Sequence, residues 1–209
     1  MKLYPGRYYH IYNRSINNEL VFRSPENFVY FLNKYRKYVD DYISTIAYCL
    51  MPTHFHFFVY VNEVTVEKME STSKVDSISS DSIYTDQVDI QMQQLKNNIG
   101  ILLSSYAKAI NKRYQRHGSL FQQHTSAIEV DDLSYLLWMV TYIHQNPVRA
   151  GIVNKIEDWE FSSYRDYIGM RNGTLPKVEV IMNYYKSIDD FKQYSEELLK
   201  EIPERYWVK

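Results

Sequence analysis

Two β-rich runs, 43–50 and 54–61, are separated by only the three residues "MPT". A link that short closes a hairpin, because parallel strands need a crossover of about a dozen residues or more. The two runs must therefore pair antiparallel, and the surrounding segments are read outward from that pair. Before it, "RYYHIYNRS" (7–15) has the composition of a strand, and "SPENFVYFLNKYRKYVDDY" carries Ser24 as N-cap with Pro25 at the first helical position. After it, Leu95, Ile99, Leu102, Leu103, Tyr106 and Ile110 recur at helical spacing as far as "RHG" at 116–118. "HTSAIEV" then reads as a short strand, and "DDLSYLLWMVTYIHQN" as a helix running from Asp131 toward Pro147. The order βαββαβ predicts an α+β fold: a ferredoxin-like (RRM-like) antiparallel sheet with helices on one face, followed by a C-terminal helical extension.

A chain of 209 residues suits one such core. No apolar run approaches the roughly 18 residues of a membrane span, and the N-terminus lacks the apolar segment of a secretory signal. One cysteine, Cys49, cannot form an internal disulfide, so a reducing cytoplasm is expected. The net charge of -1 conceals an uneven distribution: residues 61–94 carry seven acidic side chains against Lys68 and Lys74, which leaves the remainder mildly basic. This acidic, Ser/Asp-rich stretch has no convincing period and reads as an insertion over 62–93, a loop or partly disordered segment, with a short strand at 77–84 as the alternative. The expected organisation is a body over 1–170 that contains this insertion, and an extension over 171–209.

The second hairpin strand holds the first chemical signal, "HFH". On a strand, residues i and i+2 point to one side, so His54 and His56 share a face about 6.6 Å apart. Phe55, Phe57 and Val59 then pack on the helices, and His54, His56 and Phe58 are expected on an open sheet face of the kind that suits nucleic acid. A closed structural zinc site is disfavoured, since it needs four N or S ligands and Cys49 has no second thiol to join. Metal bound by the two imidazoles would sit in an open site. The second signal is "YIHQNPVRAGIV". Tyr142 and Asn146 lie four residues apart on a helix and are neighbours, with Cβ atoms about 5 to 6 Å apart. Pro147 biases Asn146 away from helical geometry, which places it at a helix end. Cationic candidates for a phosphate backbone are Arg14, the group Lys108, Lys112, Arg113 and Arg116 with His117 and Tyr114 interleaved, and Arg149. "WEFSSYRDY" reads as packing that closes the domain.

Taken in this order, "CLMPTHFHFFV", "RYQRHGSLFQQHTSAIEV", "YIHQNPVRAGIV" and "WEFSSYRDY" resemble the single-tyrosine HUH transposases, in the branch of the REP-associated tyrosine transposases. The resemblance runs from Tyr8 to about Tyr167 and leaves out the acidic insertion. It implies an enzyme that cleaves and rejoins single-stranded DNA beside hairpins at element ends through a 5′-phosphotyrosine, in the bacterial cytoplasm near the nucleoid. Carried over by residue, Tyr142 is the nucleophile, and His54, His56 and Asn146 hold a divalent metal, Mg²⁺ or Mn²⁺. Relatives differ in whether the tyrosine helix serves its own subunit or a partner's, so a homodimer is allowed. Two other readings stand beside it: a non-catalytic single-stranded DNA- or RNA-binding domain, and a metal-dependent phosphohydrolase that uses water.

Overall fold

A computed structural model describes residues 1–63 and 80–197. Four strands, β1 (Tyr8–Arg14), β2 (Ile43–Met51), β3 (His54–Val61) and β4 (Ser126–Val130), form one antiparallel sheet in the order β2-β3-β1-β4. Two helices, α1 (Pro25–Val39) and α2 (Ser80–Tyr114), complete the βαββαβ order of the ferredoxin-like fold. Strand alternation works as expected on the face these helices cover. Tyr9, Ile11, Phe55, Phe57 and Val59 are buried there against Phe31 and Tyr35 of α1 and Leu95, Ile99 and Tyr106 of α2. Tyr35 lies flat on Phe57 at 4.0 Å, and its hydroxyl shares a 2.8 Å hydrogen bond with Thr45.

The opposite face is not open. A third helix, α3 (Leu133–Arg149), packs across β2 and β3, so Phe58 is 0% exposed among Cys49, Met139, Val140 and Ile143. Composition gives the reason. "YLLWMVTYI" is apolar around nearly its whole circumference, and such a helix must be covered on both sides. The sheet covers one side. Three short helices, α4 (Tyr164–Tyr167), α5 (Glu179–Met182) and α6 (Ile188–Glu197), cover the other, with Tyr164, Ile181 and Phe191 fully buried. The C-terminal helical region thus completes the second core. Arg171 grips the Asp166 carboxylate with bonds of 2.9 and 2.6 Å, and the Lys177 amide donates to the Thr45 carbonyl at 2.8 Å, so the expected boundary after residue 170 falls within this packing.

Two local expectations are corrected. The acidic stretch was expected to be a loop to residue 93, or a strand over 77–84, but α2 begins at Ser80. Val88, Met92, Leu95 and Ile99 form one apolar stripe at spacings of four and three, and Met92 is 4% exposed. The stripe is narrow and set among Ser, Asp and Gln, which masked its period. Residues 64–79, the remainder of that stretch's core, and 198–209 lie outside the described residues. The second correction concerns Pro147, which does not end its helix: α3 runs through it to Arg149. Among the described residues, no helix is long and apolar enough to cross a membrane.

Candidate active site

Because β1 lies beside β3 in the sheet, its residues complete the surroundings of the two histidines. The register sets Tyr12 opposite His56 and Arg14 opposite His54, with His10 one step along the same face. Together with Gln122, Ser126 and Tyr142 these side chains line a pocket of about 390 Å³. The rings of His54 and His56 approach to 5.0 Å, edge to face. Tyr142, on α3, closes the pocket from above: its ring stands edge-on to His56 at 6.0 Å and lies against Trp138 at 5.0 Å and 11°. The helix that covers the sheet face is therefore also the element that carries the tyrosine.

Each imidazole is held through one nitrogen. Thr53 Oγ1 shares a 2.9 Å hydrogen bond with His54 Nδ1. His10 Nε2 lies 2.9 Å from His56 Nδ1, while His56 Nε2 is buried without a partner. Burial holds all three rings neutral: it pushes His10 down to about 3, His54 to about 4 with help from the Arg14 charge, and His56 well below its ordinary value. Burial also raises the Tyr142 phenol, and the charges of Arg149 and Arg14 oppose that rise. The pocket offers neutral imidazole nitrogens, the half-buried phenols of Tyr12 and Tyr142 and one guanidinium, with no carboxylate in its lining.

Asn146 is one turn along α3 from Tyr142 but does not line the pocket. Its Nδ2 donates to the Tyr142 carbonyl at 2.9 Å and the Ile143 carbonyl at 3.4 Å. The second of these carbonyls is the one that Pro147, lacking an N–H, leaves without its helical donor. Both acceptors are carbonyls, so the amide orientation is settled and Oδ1 is its remaining group. Among the described residues no set of three His, Cys, Asp or Glu is arranged to hold a metal, so a site on His54 and His56 would need an amide or a substrate oxygen to complete it.

The cationic candidates do not form one patch. Arg14 lines the histidine pocket. Lys108 lines a separate groove of about 640 Å³ between α2 and residues 118–125, which meets the pocket at Gln122. Lys112 is exposed on α2, and Arg113 lies over the Tyr114 ring and borders a depression with Glu26 and Tyr30. Arg116 is engaged internally, donating to Glu19 at 2.7 Å and to the Ser119 carbonyl at 3.2 Å. Arg149 is exposed at the end of α3. His10, Tyr12, Gln122 and Trp138 join the site without having been singled out from the sequence. The alternation of His10, Tyr12 and Arg14 along β1 was the available signal for the first two.

No family model matches the chain. A Haemophilus influenzae protein described as a REP-associated tyrosine transposase is 25% identical over 137 residues, which cover 64% of this chain and 66% of that relative, just under two thirds. The solved structure of a REP-associated tyrosine transposase bound to a REP hairpin superposes with a TM-score of 0.52 at 14% identity, over 81% of this chain and 84% of the other. The chain is thus similar in sequence to one REP-associated tyrosine transposase and in fold to another. For that second transposase the likeness is one of fold.

Proposed function

We propose that the chain cleaves and rejoins single-stranded DNA by transesterification at Tyr142, with His54, His56 and Asn146 holding a divalent cation, Mg²⁺ or Mn²⁺. The observation that carries this reading is the enclosure of Tyr142 with both histidines in one pocket formed by a single chain. The names of the relatives, a tyrosine transposase and one bound to a DNA hairpin, support the same substrate class. The donor set fits the metal. His56 Nε2 is buried without a partner, and neutral imidazoles with an amide oxygen suit Mn²⁺ and, less strongly, Mg²⁺. A bound divalent cation supplies Lewis-acid neutralisation of the non-bridging phosphate oxygens.

The remaining steps belong to the chain's own residues. Arg14 adds positive charge where a phosphate would enter, and no carboxylate in the lining opposes it. Trp138 fixes the plane of the Tyr142 ring, so the phenol is aimed into the pocket before substrate arrives. Attack forms the Tyr142 Oη–P bond and breaks the P–O3′ bond, and the proton lost from the phenol is balanced by the one the departing 3′-oxygen gains through solvent. One ester replaces another, so a 3′-hydroxyl can reverse the step with no external energy source. The shared pocket supports a tyrosine acting on its own subunit's substrate, which requires no second copy.

The test is a covalent adduct. Wild-type protein, Tyr142→Phe and Tyr135→Phe are incubated with Mn²⁺ and end-labelled hairpin oligonucleotides carrying single-stranded flanks, then denatured and mapped by peptide mass. Adduct is expected in wild type and Tyr135→Phe and absent from Tyr142→Phe, since Tyr135 lies in the first turn of the same helix beyond the pocket. Cleavage without adduct in wild type would make water the nucleophile. Binding without cleavage would leave a non-catalytic binding domain.

A further inference from the structure

We propose that His10 is a positioning residue that, by accepting from His56 Nδ1, makes available the His56 tautomer presenting Nε2 to a divalent cation. This rests on the metal site of the preceding section, and it concerns a residue outside that ligand set. His10 is 1% exposed on β1, stacked between Tyr12 at 4.9 Å and His56 at 5.1 Å, with Tyr142 edge-on at 6.3 Å. Packing on both sides gives it one orientation. In that orientation its Nε2 meets His56 Nδ1 at 2.9 Å, and no other partner reaches either nitrogen.

Two neutral rings share one proton across this contact, and only two assignments exist. If His10 donates, His56 carries its own proton on Nε2, pointing it where a cation would bind. If His56 donates from Nδ1, its Nε2 keeps a lone pair and His10 carries its proton on Nδ1. Each assignment leaves one buried N–H without an acceptor: His56 Nε2 in the first, His10 Nδ1 in the second. The protein alone is therefore closely balanced between them, and a cation at His56 Nε2 selects the second. An acceptor at position 10 is what makes that tautomer available, as a hydrogen-bond partner behind a ligating imidazole does generally. His10 is not a third ligand, because its inward nitrogen is occupied by His56 and, among the described residues, no three-residue ligand set is formed.

The experiment measures His56 directly. Long-range ¹H–¹⁵N correlation spectra of the full chain, with a diamagnetic divalent ion such as Mg²⁺, report which ring nitrogen is protonated. Mn²⁺ affinity is measured by calorimetry for wild type, His10→Gln and His10→Leu. The expected result is an Nδ1–H tautomer at His56 in the ion-loaded wild type, and Mn²⁺ affinity about 10- to 100-fold weaker in His10→Leu. His10→Gln, whose amide oxygen accepts the same bond, should return affinity to within a few-fold of wild type. An Nε2–H tautomer in the loaded wild type, equal affinity in wild type and His10→Leu, or no Mn²⁺ binding in wild type overturns the proposal. The wild-type spectrum decides the matter even if His10→Leu does not fold. A wild type with this tautomer and this ranking but no covalent adduct overturns the strand-transfer reading and leaves the role of His10 standing.

Discussion

His144 gives a stability prediction that can be worked to a number. It lies on α3 between Tyr142 and Asn146 but faces away from the pocket, 0% exposed, with the rings of Tyr164 and Tyr167 at 5.5 and 5.1 Å. Its Nε2 shares a 2.8 Å hydrogen bond with Ser163 Oγ, and its Nδ1 has no partner. Burial alone pushes it down to about 3. The sign follows from proton counting: below the unfolded value of about 6.5 the unfolded chain takes up a proton that the folded chain refuses. The stability contribution is thus complete above that value and is lost as pH falls toward the folded value. Between pH 7 and pH 5 one such histidine removes about 2 kcal/mol, and any folded value below about 4 gives nearly the same figure over this window. His144→Gln keeps a donor for Ser163 and removes the titration. Urea unfolding of wild type and variant at pH 7 and pH 5 should show a pH-dependent loss about 2 kcal/mol smaller in the variant, whatever its stability at pH 7. His10 and His56 titrate equally in both proteins and cancel. If the two proteins lose the same stability on acidification, the buried neutral state of His144 is refuted.

Other expectations follow from the fold and the proposed substrate. Met92→Ala should cost about 2 to 5 kcal/mol in urea unfolding if 80–93 is a packed helix, whereas the neighbouring Ile90→Ala, 58% exposed, should stay within about 0.5 kcal/mol; equal small effects would return this stretch to a loop. Lys108→Ala should lower the slope of log affinity against log salt by about 1 for single-stranded DNA, read by fluorescence anisotropy, because its groove meets the histidine pocket at Gln122. Arg116→Ala should leave that slope unchanged and lower the melting temperature instead, since its guanidinium is committed to Glu19.

What could be read from the sequence, and what could not, divides along physical lines. The hairpin, α1 and the helical tyrosine were legible because a short turn, an N-cap with proline and a 3.6 period are local signals. His54 and His56 were legible as a pair because strand alternation is also local. His10 was not, since its position beside His56 depends on how β1 registers against β3, and no short turn joins those strands to fix it. Gln122 comes from the segment between α2 and β4, where neither period applies. The covering of the second face was partly legible: the apolar circumference of "YLLWMVTYI" asks for partners on both sides, and treating the face as open overlooked that demand. The cover also bears on the chemistry. An exposed imidazole would be substantially protonated in mildly acidic conditions and unavailable to a cation, whereas burial keeps His54 and His56 neutral. Helix α3 packs on β2 and β3, brings Tyr142 edge-on to His56 at 6.0 Å and also carries Trp138. Packing α3 on the sheet and bringing Tyr142 to the two histidines are thus one event, so under the proposed function a substitution that lifts α3 from the sheet should impair cation binding and adduct formation together rather than either alone.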